Sequence, residues 1–257
     1  KEKELNLKEQ ASTKTVISVD EISEPAIEDI KITARYDIIQ LIGRGGMGTV
    51  YKVRDLELDK ILAVKIMKKE LAEDISALKR FEQETEAASK LSHPNLITVY
   101  GHGKTETGEP YLVMDYIEGE SLASIIEKDG GLNQNRVIDI FIQVADALEH
   151  AHENGVIHRD IKPTNIIMTR DENGIESAKI VDFGIAKVMN ASSRETHNLT
   201  QTGEVFGSPH YMSPEQCLGF MLEKPADIYS LGCSLYEAIT GSPPFGGSNP
   251  IQLVVKH

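Results

Sequence analysis

Apolar positions recur along this chain in two rhythms, and the change from one to the other divides it. From Tyr36 to Met114 the runs are short and rich in β-branched and aromatic residues: Tyr36–Ile42, Thr49–Arg54, Ile61–Met67, then Leu96–Tyr100 and Tyr111–Met114. Runs of this kind, broken by glycine and polar clusters, predict strands joined as hairpins. One helix interrupts them, Asp74 to Ser92, with Leu78, Phe81, Ala88 and Leu91 on one face and His93-Pro94 ending it. Beyond residue 120 the spacing becomes helical. Asn135 to Asn154 carries Val137, Ile140, Phe141, Val144, Ala147, Leu148 and Ala151 as a broad stripe. Asp227 to Thr240 sets Ile228, Leu231, Leu235 and Ile239 on a face predicted to be buried, with Pro243-Pro244-Phe245 closing the helix. Between these helices Val156-Ile157 and Ile166–Met168 predict two short buried strands. Residues 1–35 mix Lys, Glu, Ser and Thr without a sustained period and read as a disordered leader. The class is α+β, strands first and helices after.

The 257 residues leave room for two lobes with real cores. With 27 Lys and Arg against 40 Asp and Glu, the net charge of −13 argues against non-specific nucleic-acid binding, which needs basic patches. Two cysteines are too few for a disulfide framework, so a reducing, cytoplasmic setting is the default. No apolar run approaches a membrane span, although an anchor outside this stretch stays open.

The chemistry gathers in the loop between the two short strands. His158, Arg159, Asp160, Lys162 and Asn165 crowd into eight residues, stiffened by Pro163. Charges are costly to bury without partners, so such a density between apolar strands points away from a purely structural role. A second acidic loop follows at Val181-Asp182-Phe183-Gly184. Asn165 and Asp182 together would offer hard oxygen ligands to a divalent cation. Upstream, Gly43-Arg44-Gly45-Gly46-Met47-Gly48 has the GxGxxG spacing that dinucleotide-binding loops share. Such a loop must open a helix, whereas Thr49-Val50-Tyr51-Lys52-Val53 reads as strand, so the glycines sit in a strand–turn–strand whose amides approach phosphate. Lys65 is a lone charge in the apolar centre of the next strand; on an isolated strand it would be a surface lysine.

Taken together these motifs resemble the protein kinase family. His158-Arg-Asp-Ile-Lys-Pro-Thr-Asn165 resembles its catalytic loop and Asp182-Phe-Gly184 its magnesium motif. Gly-Met-Gly-x-Val-Tyr, Asp-Phe-Gly-Ile-Ala-Lys and Tyr-Met-Ser-Pro-Glu-Gln look most like bacterial eukaryotic-type serine/threonine kinases. The resemblance implies a two-lobed fold over residues 36–257, with a small antiparallel sheet lobe (36–114), a hinge (115–119) and a mainly helical lobe (120–257) that stops short of the family's last helices. It implies ATP and Mg2+, with Mn2+ as a substitute, and protein substrates phosphorylated on Ser or Thr. Lys-Pro-x-Asn after Asp160 and the docking-like Gly207–Glu215 segment favour Ser/Thr over Tyr. A homodimer, back-to-back or trans-autophosphorylating, would suit the family.

The implied roles fall residue by residue. Ile42, Gly43, Arg44, Gly45, Gly46, Met47, Gly48, Thr49 and Val50 would cover the nucleotide. Ala63 and Met114 would line the adenine pocket, and the backbone of Asp115 and Ile117 would pair with the adenine edge. Lys65 would hold the phosphates, with Glu84, on the Phe81 side of its helix, as ion-pair partner. Asp160 would take or orient the hydroxyl proton, Lys162 would offset phosphoryl charge, and Asn165 and Asp182 would hold metal. His158 would pack rather than act as base, and Asp227 would hold the catalytic-loop backbone. Ser121 stands where some relatives carry a ribose-binding acid, which puts the ribose contacts in doubt. Thr200 and Thr202 are candidate autophosphorylation sites. A nucleotide-binding pseudokinase scaffold is the rival reading, and a small-molecule kinase a third.

Overall fold

The β-branched and aromatic runs of the first half pair as one antiparallel sheet. Its strands are β1 (Tyr36–Gly45), β2 (Gly48–Asp55), β3 (Lys60–Met67), β4 (Val99–Lys104) and β5 (Pro110–Asp115), in the order β1-β2-β3-β5-β4. The computed structural model describes residues 32–69, 74–184, 208–247 and 249–257. β1 runs on through the glycines and pairs Gly45 with Gly48, so the glycine-rich stretch is the tip of a hairpin. At Gly48 a Cβ would stand 2.1 Å from the Ile66 carbonyl oxygen, so only glycine lets β2 lie this close to β3. Helix α1 (Ile75–Ser89) starts at Asp74, whose carboxylate accepts from Ser76 N and Ala77 N, and it buries Phe81 and Ala88.

The second half contains α2 (Leu122–Asp129), α3 (Gln134–Glu153), α4 (Pro214–Cys217), α5 (Lys224–Thr240) and α6 (Pro250–Lys256). A small antiparallel sheet, β6 (Glu120–Ser121), β7 (Ile166–Arg170) and β8 (Glu176–Ile180), carries the two chemistry-bearing loops. All seven residues of the stripe named on α3 are buried, which makes it the central prop of this half. Ser121 has a use of its own: its hydroxyl accepts from Ser124 N (3.1 Å) and caps α2. No helix among the described residues is long and apolar enough to cross a membrane.

Five expectations need correction. Val156-Ile157 forms no strand; Val156 N donates to Ala151 O (2.9 Å), so this stretch closes the end of α3. The strand expected from Leu96 begins at Val99, because Leu96 makes a lone parallel bridge with Ile180 instead. On α5 the buried face is the small one, Ala226, Ser230, Cys233, Ser234 and Ala238, which allows close approach. Ile228 and Ile239 on the other side are 54% and 43% exposed. The same helix ends at Gly241, whose left-handed φ of 78° caps it before the prolines are reached. At the other end of the chain, packing begins before Tyr36: Ile32 is buried, and Arg35 pairs with the buried Asp55 at 2.7 Å.

Candidate active site

The catalytic-type loop is held from beneath by one carboxylate. Asp227, in the first turn of α5, accepts from His158 N (2.8 Å), Arg159 N (2.7 Å) and the His152 ring (2.8 Å). Burial pushes the Asp227 carboxyl upward, but His152 and the two amides outweigh it and hold it below its ordinary value of 3.8. Gln216, from α4, adds a bond from its side-chain nitrogen to Arg159 O (3.1 Å). His158 is fully buried, its pKa lowered by that burial; its ring meets Val181 O (3.2 Å) and lies tilted against Phe183, centroids 4.9 Å apart. A neutral, enclosed imidazole of this kind suits packing and orientation better than proton transfer.

On this support the reactive groups converge. Lys162 Nζ lies 3.0 Å from Asp160 Oδ2 and donates to Ser208 Oγ at 2.8 Å. Asn165 turns its amide nitrogen to Asp160 O (2.8 Å) and Oδ2 (3.3 Å), so its oxygen is the atom that would ligate a cation. Val181 N donates to Asn165 O (2.9 Å) and Gly184 N to His158 O (2.8 Å), which ties the two loops together. A Cβ on Gly184 would stand 2.7 Å from that same carbonyl oxygen. Arg159 and Asp182 both hold left-handed backbone, with φ of 65° and 57°. Strained non-glycine residues persist where the surroundings over-determine them, and both of these sit in the two loops that carry the charged groups.

From the small-lobe sheet, buried Lys65 reaches across and ion-pairs directly with Asp182. Glu84, the expected partner of Lys65, pairs instead with Arg159 at 3.1 Å. Lys65 and Asp182 neutralise each other, and Glu84 finds its cation in Arg159. At the linker end Ala63 pairs with Met114 across β3 and β5, both buried, and Val50 and Ile117 pack against the same core. Asp115 N donates to Thr98 O (3.0 Å), so a purine contact from Asp115 would run through its carbonyl. Ile42, Gly43, Arg44, Gly45 and Gly46 are exposed at the hairpin tip, while Met47, Thr49 and Val50 are half-buried. Thr200 and Thr202 lie outside the described residues.

Two supports escaped the sequence reading. His152 could have been found, since it falls one turn after Leu148 on the buried stripe of α3. Gln216 carries no pattern that sets it apart.

Residues 36–257 match the protein kinase domain family. The chain belongs to that family. Among curated kinases, it is 39% identical to serine/threonine-protein kinase PknB of Mycobacterium tuberculosis over 229 residues, covering 88% of this chain and 36% of PknB. It is 44% identical over 223 residues to the probable serine/threonine-protein kinase CPE1738 of Clostridium perfringens, covering 87% of this chain and 31% of that one. The chain thus spans about a third of the length of these relatives. Among solved structures, the PknI kinase domain of Mycobacterium tuberculosis superposes with a TM-score of 0.68 at 28% identity, covering 86% of this chain and 80% of that one. The two-lobed protein kinase fold is therefore the fold of this chain.

Proposed function

We propose that this chain transfers the γ-phosphoryl group of Mg·ATP to serine and threonine hydroxyls of proteins. The observation that carries the reading is the meeting of Lys65 from one lobe with Asp182 from the other, beside Asp160, Lys162 and Asn165. Phosphoryl transfer asks chiefly for alignment and for neutralisation of phosphate charge. Lys65 supplies a cation to the phosphates, and Lys162 supplies another where charge migrates. Asp160, fixed by Lys162 and Asn165, orients the substrate hydroxyl and accepts its proton. The oxygens of Asn165 and Asp182 make a hard donor set that fits Mg2+ or Mn2+. The bound cation would neutralise phosphate charge and orient the leaving group. The Lys162–Ser208 bond (2.8 Å) supports a serine/threonine preference, because it sets the docking-like segment against the hydroxyl-handling group.

The relatives named serine/threonine-protein kinases support the same activity. Thr200 and Thr202 are proposed autophosphorylation sites, and trans-phosphorylation between two copies is the route that a soluble assay would follow. The test is transfer of label from γ-labelled ATP, by the full-length chain, to itself and to a generic basic protein, beside Asp160→Asn. Transfer by the wild type alone is expected, with phosphate mapped by mass spectrometry between Asp182 and Glu215. Equal counts from both proteins would leave a nucleotide-binding scaffold without turnover.

A further inference from the structure

Two lysines of the five-stranded sheet reach the linker between the lobes, and neither takes part in the phosphate chemistry above. In the β2–β3 pair, Val50 stands opposite Lys65 and Lys52 opposite Ala63. Residues directly opposite in an antiparallel pair share a face of the sheet. Lys65 points into the cleft toward Asp182, so Lys52 lies on the cleft side too, two residues nearer the linker, where Ala63 pairs with Met114. The Lys52 ammonium sits over the Tyr116 ring, 4.1 Å from its centroid, and both residues are half-buried. The preceding linker residue is held as well. Asp115 Oδ1 accepts from Lys60 Nζ (2.9 Å) and from the Tyr100 hydroxyl (2.7 Å). Consecutive linker side chains are thus each gripped by a lysine from the sheet.

Backbone that must order itself when a ligand arrives subtracts that ordering from the affinity, whereas backbone held beforehand does not. We propose that Lys52 is a positioning residue for purine binding: its cation–π contact with Tyr116, beside the Lys60–Asp115 pair, holds the linker backbone in the shape that receives the purine edge. This rests on the nucleotide-binding reading given above. Because Lys52 acts on the linker and not on the transferred phosphoryl, it stabilises the ground state and the transition state alike. Its loss then raises KM for ATP and leaves kcat where it was.

The test compares Lys52→Met, Lys52→Arg, Tyr116→Leu, Tyr116→Phe and the Lys52→Met/Tyr116→Leu double variant in the full-length chain. It reads kcat, KM for ATP, and Kd for Mg·ATP by calorimetry. Lys52→Met and Tyr116→Leu are each expected to raise KM and Kd about threefold, the size of a half-exposed cation–π contact. Lys52→Arg and Tyr116→Phe keep a cation and a ring and should stay near wild type. The double variant should be no worse than either single change, since both remove the same contact. Wild-type KM and Kd in Lys52→Met, or additive losses in the double variant, would overturn the proposal. A fall in kcat with unchanged KM would overturn it too, by moving Lys52 into the chemical step. A wild type that binds no Mg·ATP overturns the nucleotide reading itself, an outcome distinct from a wild type and a Lys52→Met that bind equally well.

Discussion

On the floor of the cleft, Asp227 accepts three hydrogen bonds from a buried position, two of them from backbone amides of the His158–Asn165 loop. On its roof, Lys65 and Glu84 each hold an ion-pair partner on the other lobe, Asp182 and Arg159. The floor is built from fixed geometry, with two backbone amides aimed at one buried carboxylate. The roof is built from long side chains that reach across to charges on the other lobe. Glu84 and Arg159 are 26% and 21% exposed, so water competes for both, and exchange of partners costs little. The lesson is that one half of the site stores its geometry in buried hydrogen bonds, while the other half leaves its geometry to be set by what enters the cleft.

The largest test of that contrast falls on the floor. Asp227→Ala strips the acceptor from His158 N, Arg159 N and His152, and should lower stability by about 3–5 kcal/mol in urea unfolding, as removal of one partner from a buried charged network does. Phosphoryl transfer should vanish with it. Asp227→Asn keeps one acceptor oxygen and should fall between. An Ala variant as stable as wild type would mean that the loop holds its own shape.

On the roof the effect should separate activity from stability. Lys65→Met is expected to lower kcat/KM for ATP by about 10²–10³, the scale of one lost charge-stabilising donor. Unfolding should move by no more than ~1 kcal/mol, because Asp182 is 38% exposed and regains water. A large stability loss would place Lys65 with the floor. Glu84→Gln should be milder still, lowering kcat/KM about fivefold, as befits one partly exposed ion pair. If Mg·ATP draws Lys65 from Asp182 toward Glu84, this loss appears in turnover assays and not in unfolding of the nucleotide-free protein.

Much of this was legible in the residues, and the exceptions have physical causes. The β1–β2 hairpin, the α3 stripe and the Asp160–Asn165 loop follow from local patterns, because local propensity and tertiary burial agree there. The face of α5 misled because apolar size is a poor guide when a helix packs through Ala, Ser and Cys: the closest approach goes to the smallest side chains. Helical spacing puts Glu84 on the inward face of its helix, yet spacing along one helix cannot say which of two cations on other elements it meets. His152 and Gln216 act through partners 75 and 57 residues away in sequence, beyond any periodicity. Lys52 shows the same limit, since only the strand register puts it on the cleft side.

The last effect concerns protons on the floor. Burial depresses the pKa of His158 below its ordinary 6.5, and the bond to Val181 O and the charges of Asp227, Asp160 and Asp182 only partly offset this. The folded chain therefore keeps His158 neutral while the unfolded chain takes up a proton as pH drops below about 6.5. Stability should fall with pH in that window, by at most about 1.4 kcal/mol per pH unit for a single group, and level off once the folded form is protonated as well. His158→Leu should remove this part of the slope, leaving the carboxylate-driven loss at lower pH. Denaturant midpoints across pH 5–7 would read the difference (the range brackets the ordinary histidine pKa of about 6.5). An unchanged slope in the variant would show that the loop admits water to this ring and that the floor is less closed than its hydrogen bonds imply.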